Sequence, residues 1–175
     1  MKWLVNELIK PYLKLRMRRI ERYMQEPEEA QERWLRTLLE TARNTAFGRQ
    51  YGFSEIRNFE EYAREVPVHD YDGLKGHIMR MMHGEEDVLW PGEVNWYSKS
   101  SGTTSDKSKF IPVPESNLFG CHIAGSWDSL ALLYENRPDM EIFRYKNLVM
   151  SGSFTALEEY PKTRYGDVSA VLTEH

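Results

Sequence analysis

Apolar residues recur at helical spacing through the first ninety positions and gather into short runs only afterwards. Over residues 3–24, Leu4, Leu8, Tyr12, Leu15, Ile20, Tyr23 and Met24 follow a helical period, which Pro11 is expected to kink or restart. Pro27 stands where a first helical residue belongs, and Glu28 and Glu29 suit the positive end of a helix. The stripe Trp34, Leu35, Leu38, Leu39 and Ala42 predicts a helix over 27–46, closed by Gly48. A stripe this narrow reads as core rather than as a docking face. Asn58, with Glu61 three residues on, predicts the cap of a short helix that ends before Pro67. Asp70 predicts the cap of a helix over 71–83, with Leu74, Ile78 and Met82 inward and Gly84 as its stop.

The pattern then changes. Residues 94–98 and 110–113 are strand candidates, and Pro112 and Pro114 place the second at a sheet edge or cut it short. Residues 116–135 predict a helix with Leu118, Phe119, Ile123, Trp127, Leu130 and Tyr134 apolar. Residues 147–150 predict a buried strand leading into Ser151-Gly152-Ser153, and 168–172 form a last apolar segment. A helical front with a few scattered strands does not close a sheet domain, so the chain reads as the front portion of a larger α/β protein.

Composition narrows the class. The 175 residues are 41% hydrophobic and 29% charged, which is globular composition. A net charge of −4 argues against a dedicated nucleic-acid binder. Charge is uneven, however: Lys2, Lys10, Lys14, Arg16, Arg18, Arg19 and Arg22 face only Glu7 and Glu21 in the first 25 residues. That basic front reads either as a solvated helix face or as a docking surface for acidic lipid, nucleic acid or protein. A single cysteine excludes an internal disulfide framework and suits a reducing compartment. Cys121 reads as a small buried hydrophobe, with a redox thiol as the alternative. No apolar run has the length of a membrane span and the front lacks a secretory signal, so a cytoplasmic location is expected.

The densest candidate chemistry lies between the first two strand candidates, in Ser100-Ser101-Gly102-Thr103-Thr104-Ser105-Asp106-Lys107-Ser108-Lys109. Glycine permits close backbone approach, consecutive N–H groups cup an anion, hydroxyls donate, and lysine adds charge. The spacing is not that of a Walker P-loop. From composition alone, a phosphate cradle and a solvated polar hairpin both remain open. The five histidines show no metal-ligand spacing with Cys121 or with one another. Glu85-Glu86-Asp87 and Glu158-Glu159 read as solvated turns. No Gly-x-Ser-x-Gly elbow is present, and Gly166-Asp167 reads as a turn or a ligand contact.

Ser100-Ser101-Gly102-Thr103-Thr104 with Lys109-Phe110-Ile111-Pro112 resembles the first nucleotide motif of the auxin-responsive-promoter (Gretchen Hagen three) family. These are acyl acid amido synthetases of the adenylate-forming superfamily. The flanks agree: Asn44-Thr45-Ala46-Phe47-Gly48 after a Leu- and Arg-rich helix, then Val66-Pro67-Val68 with Tyr71-Asp72-Gly73-Leu74-Lys75. Ser151-Gly152-Ser153 and Gly166-Asp167-Val168-Ser169 resemble downstream segments of the family.

The resemblance implies an α/β fold, with a helical N-terminal part leading into the start of a mixed-sheet adenylate-forming domain that is incomplete in this chain. Residues 1–175 would be an N-terminal fragment of the large adenylating domain, mainly helical over 1–90, with strands, a helix and the nucleotide motif over 91–175. It implies a ligase that uses ATP and Mg²⁺ to join a carboxylic acid to an amino acid through an acyl adenylate. Ser100, Ser101, Gly102, Thr103 and Thr104 would hold the β- and γ-phosphates, and Lys109 matches the motif's lysine. Asp106 departs from the glycine commoner in the superfamily. The remaining nucleotide motifs, the metal ligands and the closing domain would lie outside this chain, so no catalytic residue is assigned and the fragment alone is expected to be inactive. Phe119, Ile123 and Trp127 are candidates for an acyl pocket or for core. An acyl-CoA or carrier-protein ligase fragment, and a non-catalytic module docking through its basic front helix, are the alternatives.

Overall fold

A computed structural model describes residues 2–100, 108–146 and 148–174, with the side chains of residues 2–4 left aside. The chain divides into two compact units, Met1–Ala30 with Ser116–Met150, and Gln31–Glu115 with Ser151–His175.

In the first unit, helix α1 (Lys2–Gln25) runs unbroken through Pro11. The expected restart does not occur, because proline removes a single N–H while the residues on either side are pinned to the later helix of the same unit. Leu13, 2% exposed, packs with Ala131, Tyr134, Trp127 and Leu130, joined by Ile9 and Ile20. The Tyr134 hydroxyl donates to Asn6 Oδ1 at 2.6 Å and accepts from the Ile142 N–H at 3.1 Å. The buried stripe therefore contains Asn6, Leu13 and Arg16, while Leu8 and Leu15 lie 69% and 63% exposed.

The predicted helix over 116–135 appears as α6 (Glu115–Asn117), a π-helical stretch (Leu118–Ile123) and α7 (Ala124–Asn136). Leu118 is buried there, but Phe119 is 48% exposed. Trp127 meets Tyr12 edge-on and stacks with Phe143, so it belongs to the core. Cys121 is exposed, which corrects the reading of it as a buried hydrophobe. The wider π turn rotates it off the packed face. The expected buried strand over 147–150 is absent from the described residues. Leu148, Val149 and Met150 are 93%, 69% and 86% exposed, since a short apolar run with no partner strand has nothing to pair with.

In the second unit, α2 (Pro27–Ala42) ends four residues before the expected boundary. Thr45 caps a separate short helix, α3 (Ala46–Gln50), by accepting the Gly48 N–H at 2.9 Å. Gly48 thus does not close α2. It lies buried inside α3, where a Cβ would come within 2.0 Å of the Ala42 carbonyl oxygen. Leu39 and Ala42 are buried, whereas Trp34 and Leu38 are about half exposed, so the α2 stripe is only partly core.

The next two helices follow the capping signals. Asn58 accepts the Glu61 N–H to open α4 (Phe59–Glu65). Asp70 accepts the Gly73 N–H at 2.8 Å to open α5 (Tyr71–Met82), and Gly84, at φ +83°, follows its end. Ile78, Met81 and Met82 of α5 pack with Val88, Val94 and Tyr97 to form the main core.

Four short strands form one mixed sheet in the order β2-β1-β4-β3: β1 (Trp96–Ser100), β2 (Lys109–Pro112), β3 (Phe154–Ala156) and β4 (Arg164–Gly166). β1 is antiparallel to β2 and parallel to β4, and β3 is antiparallel to β4. The proline-bearing β2 is an edge strand, as its missing N–H requires. Residues 168–172 belong to α8 (Val168–Glu174), with Ala170 and Val171 buried.

His83, just past α5, ties the helix to the turn between β3 and β4. Its Nδ1 lies 2.7 Å from the Met79 carbonyl oxygen and its Nε2 3.1 Å from Glu159 Oε2. Both partners are acceptors, so only the doubly protonated ring donates to both. The Met79 carbonyl first, and the Glu159 carboxylate second, hold the His83 pKa above its ordinary 6.5. A raised folded-state pKa makes this contribution complete below about pH 6.5 and removes it as pH climbs through the folded value. Melting temperature is therefore expected to decline above about pH 6.5, and the His83→Gln variant should lose that component of the pH profile. An unchanged profile would show that the contact adds nothing.

Candidate functional site

The parallel pairing of β1 and β4 sets Ser98 beside Gly166, so the carboxyl ends of both strands open on the same side. Open α/β sheets place ligands outside such strand ends. A cavity of about 330 Å³ lies there, lined by Lys99, Ser100, Ser108, Ser153, Thr155, Tyr165, Gly166 and Asp167. Three segments that are separate in sequence thereby meet: the base of the Ser/Gly/Thr hairpin, the Ser151-Gly152-Ser153 run, and Gly166-Asp167.

Each wall has a local cause. Ser100 pairs with Lys109 across the β1–β2 ladder, which closes the hairpin and sets Ser100 and Ser108 at its mouth. Ser101, Gly102, Thr103 and Thr104 lie outside the described residues. On the far side, the Gly152 N–H donates to Ser169 Oγ at 3.1 Å, and the Ser151 and Thr173 hydroxyls share a bond of 2.7 Å. These contacts fasten the Ser-Gly-Ser run to α8. A Cβ on Gly152 would fall 2.1 Å from Asp167 Oδ2, and one on Gly166 would fall 2.2 Å from the Ser153 carbonyl oxygen. Both glycines permit a close approach that any side chain would block.

The two lysines at the hairpin base go to different places. Lys109 lies with its Nζ 5.5 Å from the centre of the Tyr71 ring. The Tyr71 hydroxyl in turn accepts the Phe110 N–H at 2.9 Å, and Tyr71 is fixed as the first residue of α5 by the Asp70 cap. Lys99 instead lies on the cavity wall, its Nζ 5.8 Å from the centre of the Tyr165 ring.

Sequence reading missed Lys99, Thr155 and Tyr165. The available signal for Lys99 was strand alternation: it lies two residues beyond the buried Tyr97 and so shares its face, just before the motif. Among the described residues no three His, Cys, Asp or Glu side chains converge as a metal site. In the described residues, no helix is long and apolar enough to cross a membrane.

The arrangement is that of a mixed α/β protein with a polar, hydroxyl-lined cavity where the base of the β1–β2 hairpin meets the ends of parallel strands. A family model described as the GH3 family N-terminal domain matches residues 16–171, and the chain belongs to the GH3 family. Indole-3-acetic acid-amido synthetase GH3.2 of Arabidopsis thaliana is 27% identical over 100 residues, covering 57% of this chain and 18% of that protein. The GH3.4 synthetase of the same plant is 26% identical over 100 residues, 57% of this chain and 17% of that protein. Among solved structures, the GH3.15 acyl acid amido synthetase superposes with a TM-score of 0.76 at 20% identity, over 94% of this chain and 29% of that one. The chain described as AtGH3.15 in complex with 2,4-DB gives 0.76 at 17% identity, over 93% and 28%. The chain thus spans less than a third of the length of each of these proteins, and it shares the fold of the two solved structures over nearly all of its own length.

Proposed function

We propose that this chain supplies the phosphate grip of an ATP-dependent ligase that joins a carboxylic acid to an amino acid. The observation that carries the reading is the convergence of the hairpin base with Ser153, Gly166 and Asp167 on one polar cavity at the ends of two parallel strands. The relatives' names, all amido synthetases, support the reaction class.

In this reading Ser100, Ser101, Gly102, Thr103, Thr104 and Lys109 hold the β- and γ-phosphates of ATP. A carboxylate is a poor electrophile, and transfer of AMP to it creates a leaving group that an amine then displaces. The motif's N–H groups, hydroxyls and lysine would offset the charge on the departing pyrophosphate, and Mg²⁺ held by groups outside this chain would supply further positive charge there. The metal ligands, adenine contacts and amino acid site are assigned to parts of a longer protein, and the location is assigned to the cytoplasm.

Calorimetric titration of the 175-residue chain with ATP tests the reading. Weak but saturable binding is expected, reduced about tenfold or more by Lys109→Ala or by Gly102→Val. Pyrophosphate exchange is expected to stay at the level of the Lys109→Ala control. Absence of ATP binding by the wild-type chain would overturn the phosphate-grip assignment, and exchange above the control would overturn its incompleteness.

A further inference from the structure

We propose that Lys99 is a second phosphate-facing cation, placed on the cavity wall from outside the Ser/Gly/Thr motif; the proposal rests on the nucleotide reading above. Three observations lead to it. The first is position. Tyr97 is fully buried in the core under α5, and strand alternation puts Lys99 on the same face two residues later, at the carboxyl end of β1 where that core stops. Its ladder partner is Phe110, whose ring lies 5.2 Å, centre to centre, from that of Tyr165, and the Lys99 Nζ lies 5.8 Å from the centre of the Tyr165 ring.

The second observation is charge. Among the cavity's described lining residues, Lys99 is the one cation and Asp167 the one carboxylate, the rest being hydroxyls, a phenol and a glycine. Without Lys99 that wall carries net negative charge, which repels a polyphosphate. With it the wall is neutral before the motif's own groups are added. The third is availability. Among the described residues Lys99 makes no ion pair, and its contact with the Tyr165 ring leaves the ammonium donors free for oxygen acceptors. Lys109 makes the same kind of ring contact, with Tyr71, but is not among the residues lining the cavity.

Calorimetry with ATP, AMP and inorganic tripolyphosphate on wild type, Lys99→Gln and Lys99→Arg tests this. Lys99→Gln is expected to weaken ATP and tripolyphosphate about tenfold while AMP changes less than about twofold, and Lys99→Arg to stay within about threefold of wild type. Thermal unfolding of each variant confirms that the sheet is intact. Unchanged ATP affinity in Lys99→Gln would overturn the proposal alone, since the wild-type chain still binds. Equal losses of ATP and AMP with a lowered melting temperature would also overturn it, marking Lys99 as a packing partner of Tyr165. A wild-type chain that binds none of the three probes removes the nucleotide reading, and the role of Lys99 with it.

Discussion

Gly166→Ala is expected to destabilise the protein by about 3 kcal/mol and to abolish the ATP binding proposed for the strand-end cavity. A Cβ at this position would come 2.2 Å from the Ser153 carbonyl oxygen and 2.7 Å from Phe154 Cα, far inside contact distance. Both neighbours are backbone, so no rotamer change relieves the overlap. Gly166 is also paired on both sides, with Phe154 in β3 and Ser98 in β1, so β3 must be pushed off the sheet edge. Urea unfolding followed by tryptophan fluorescence reads the first effect, because Trp96 lies in β1. Ser153 and Thr155 line the cavity from β3 and the residue before it, and displacing β3 moves both away from Asp167, which follows β4. A Gly166→Ala variant with wild-type stability would show that the β3–β4 approach is looser than described.

Arg16→Ala is expected to cost about 3 kcal/mol, among the largest effects of any substitution in α1. The side chain is only 11% exposed. Its Nε and Nη2 both lie 2.7 Å from Asp128 Oδ1, and Nη2 also donates to the Ala124 carbonyl at 2.8 Å. Ala124 is the residue where the π stretch returns to α-helix, so the guanidinium supplies a donor at an irregular turn. Truncation leaves a half-buried carboxylate without its partner, and the desolvation already incurred is no longer offset. Replacing both Arg16 and Asp128 with apolar residues should recover much of the loss. Arg18→Ala, at an exposed position, should change stability by no more than about 0.5 kcal/mol. Chemical denaturation of the four proteins decides the matter, and equal effects of Arg16→Ala and Arg18→Ala would contradict it.

The Arg16 case shows why the basic front helix was only partly legible. Counting charges put Arg16 with Arg18, Arg19 and Arg22 on a surface, but the fold takes Arg16 inward and leaves the other three exposed. Periodicity likewise fitted more than one face of α1. Leu8, Tyr12 and Leu15 keep helical spacing yet stay exposed, because Asn6, Leu13 and Arg16 have the complementary partners on α7.

What the sequence determined by itself were features in which a residue acts on its own backbone or on neighbours within one turn. Asn58 and Asp70 open their helices, Gly84 follows the end of α5 with positive φ, and Pro112 keeps β2 at an edge. The Ser/Gly/Thr run with its flanks was also enough to indicate the family. Tertiary structure alone decided what depends on residues far apart in the chain. It placed Gly48 against the Ala42 carbonyl rather than at a helix end, and it left 148–150 without a partner strand. It also set Lys99 and Asp167 on one cavity wall, through a parallel pairing between strands more than sixty residues apart. The physical reason is the range of the forces concerned. A cap or a turn is satisfied within a few bonds of its own backbone, whereas burial, steric contact and the charge of a cavity are fixed only when distant segments meet.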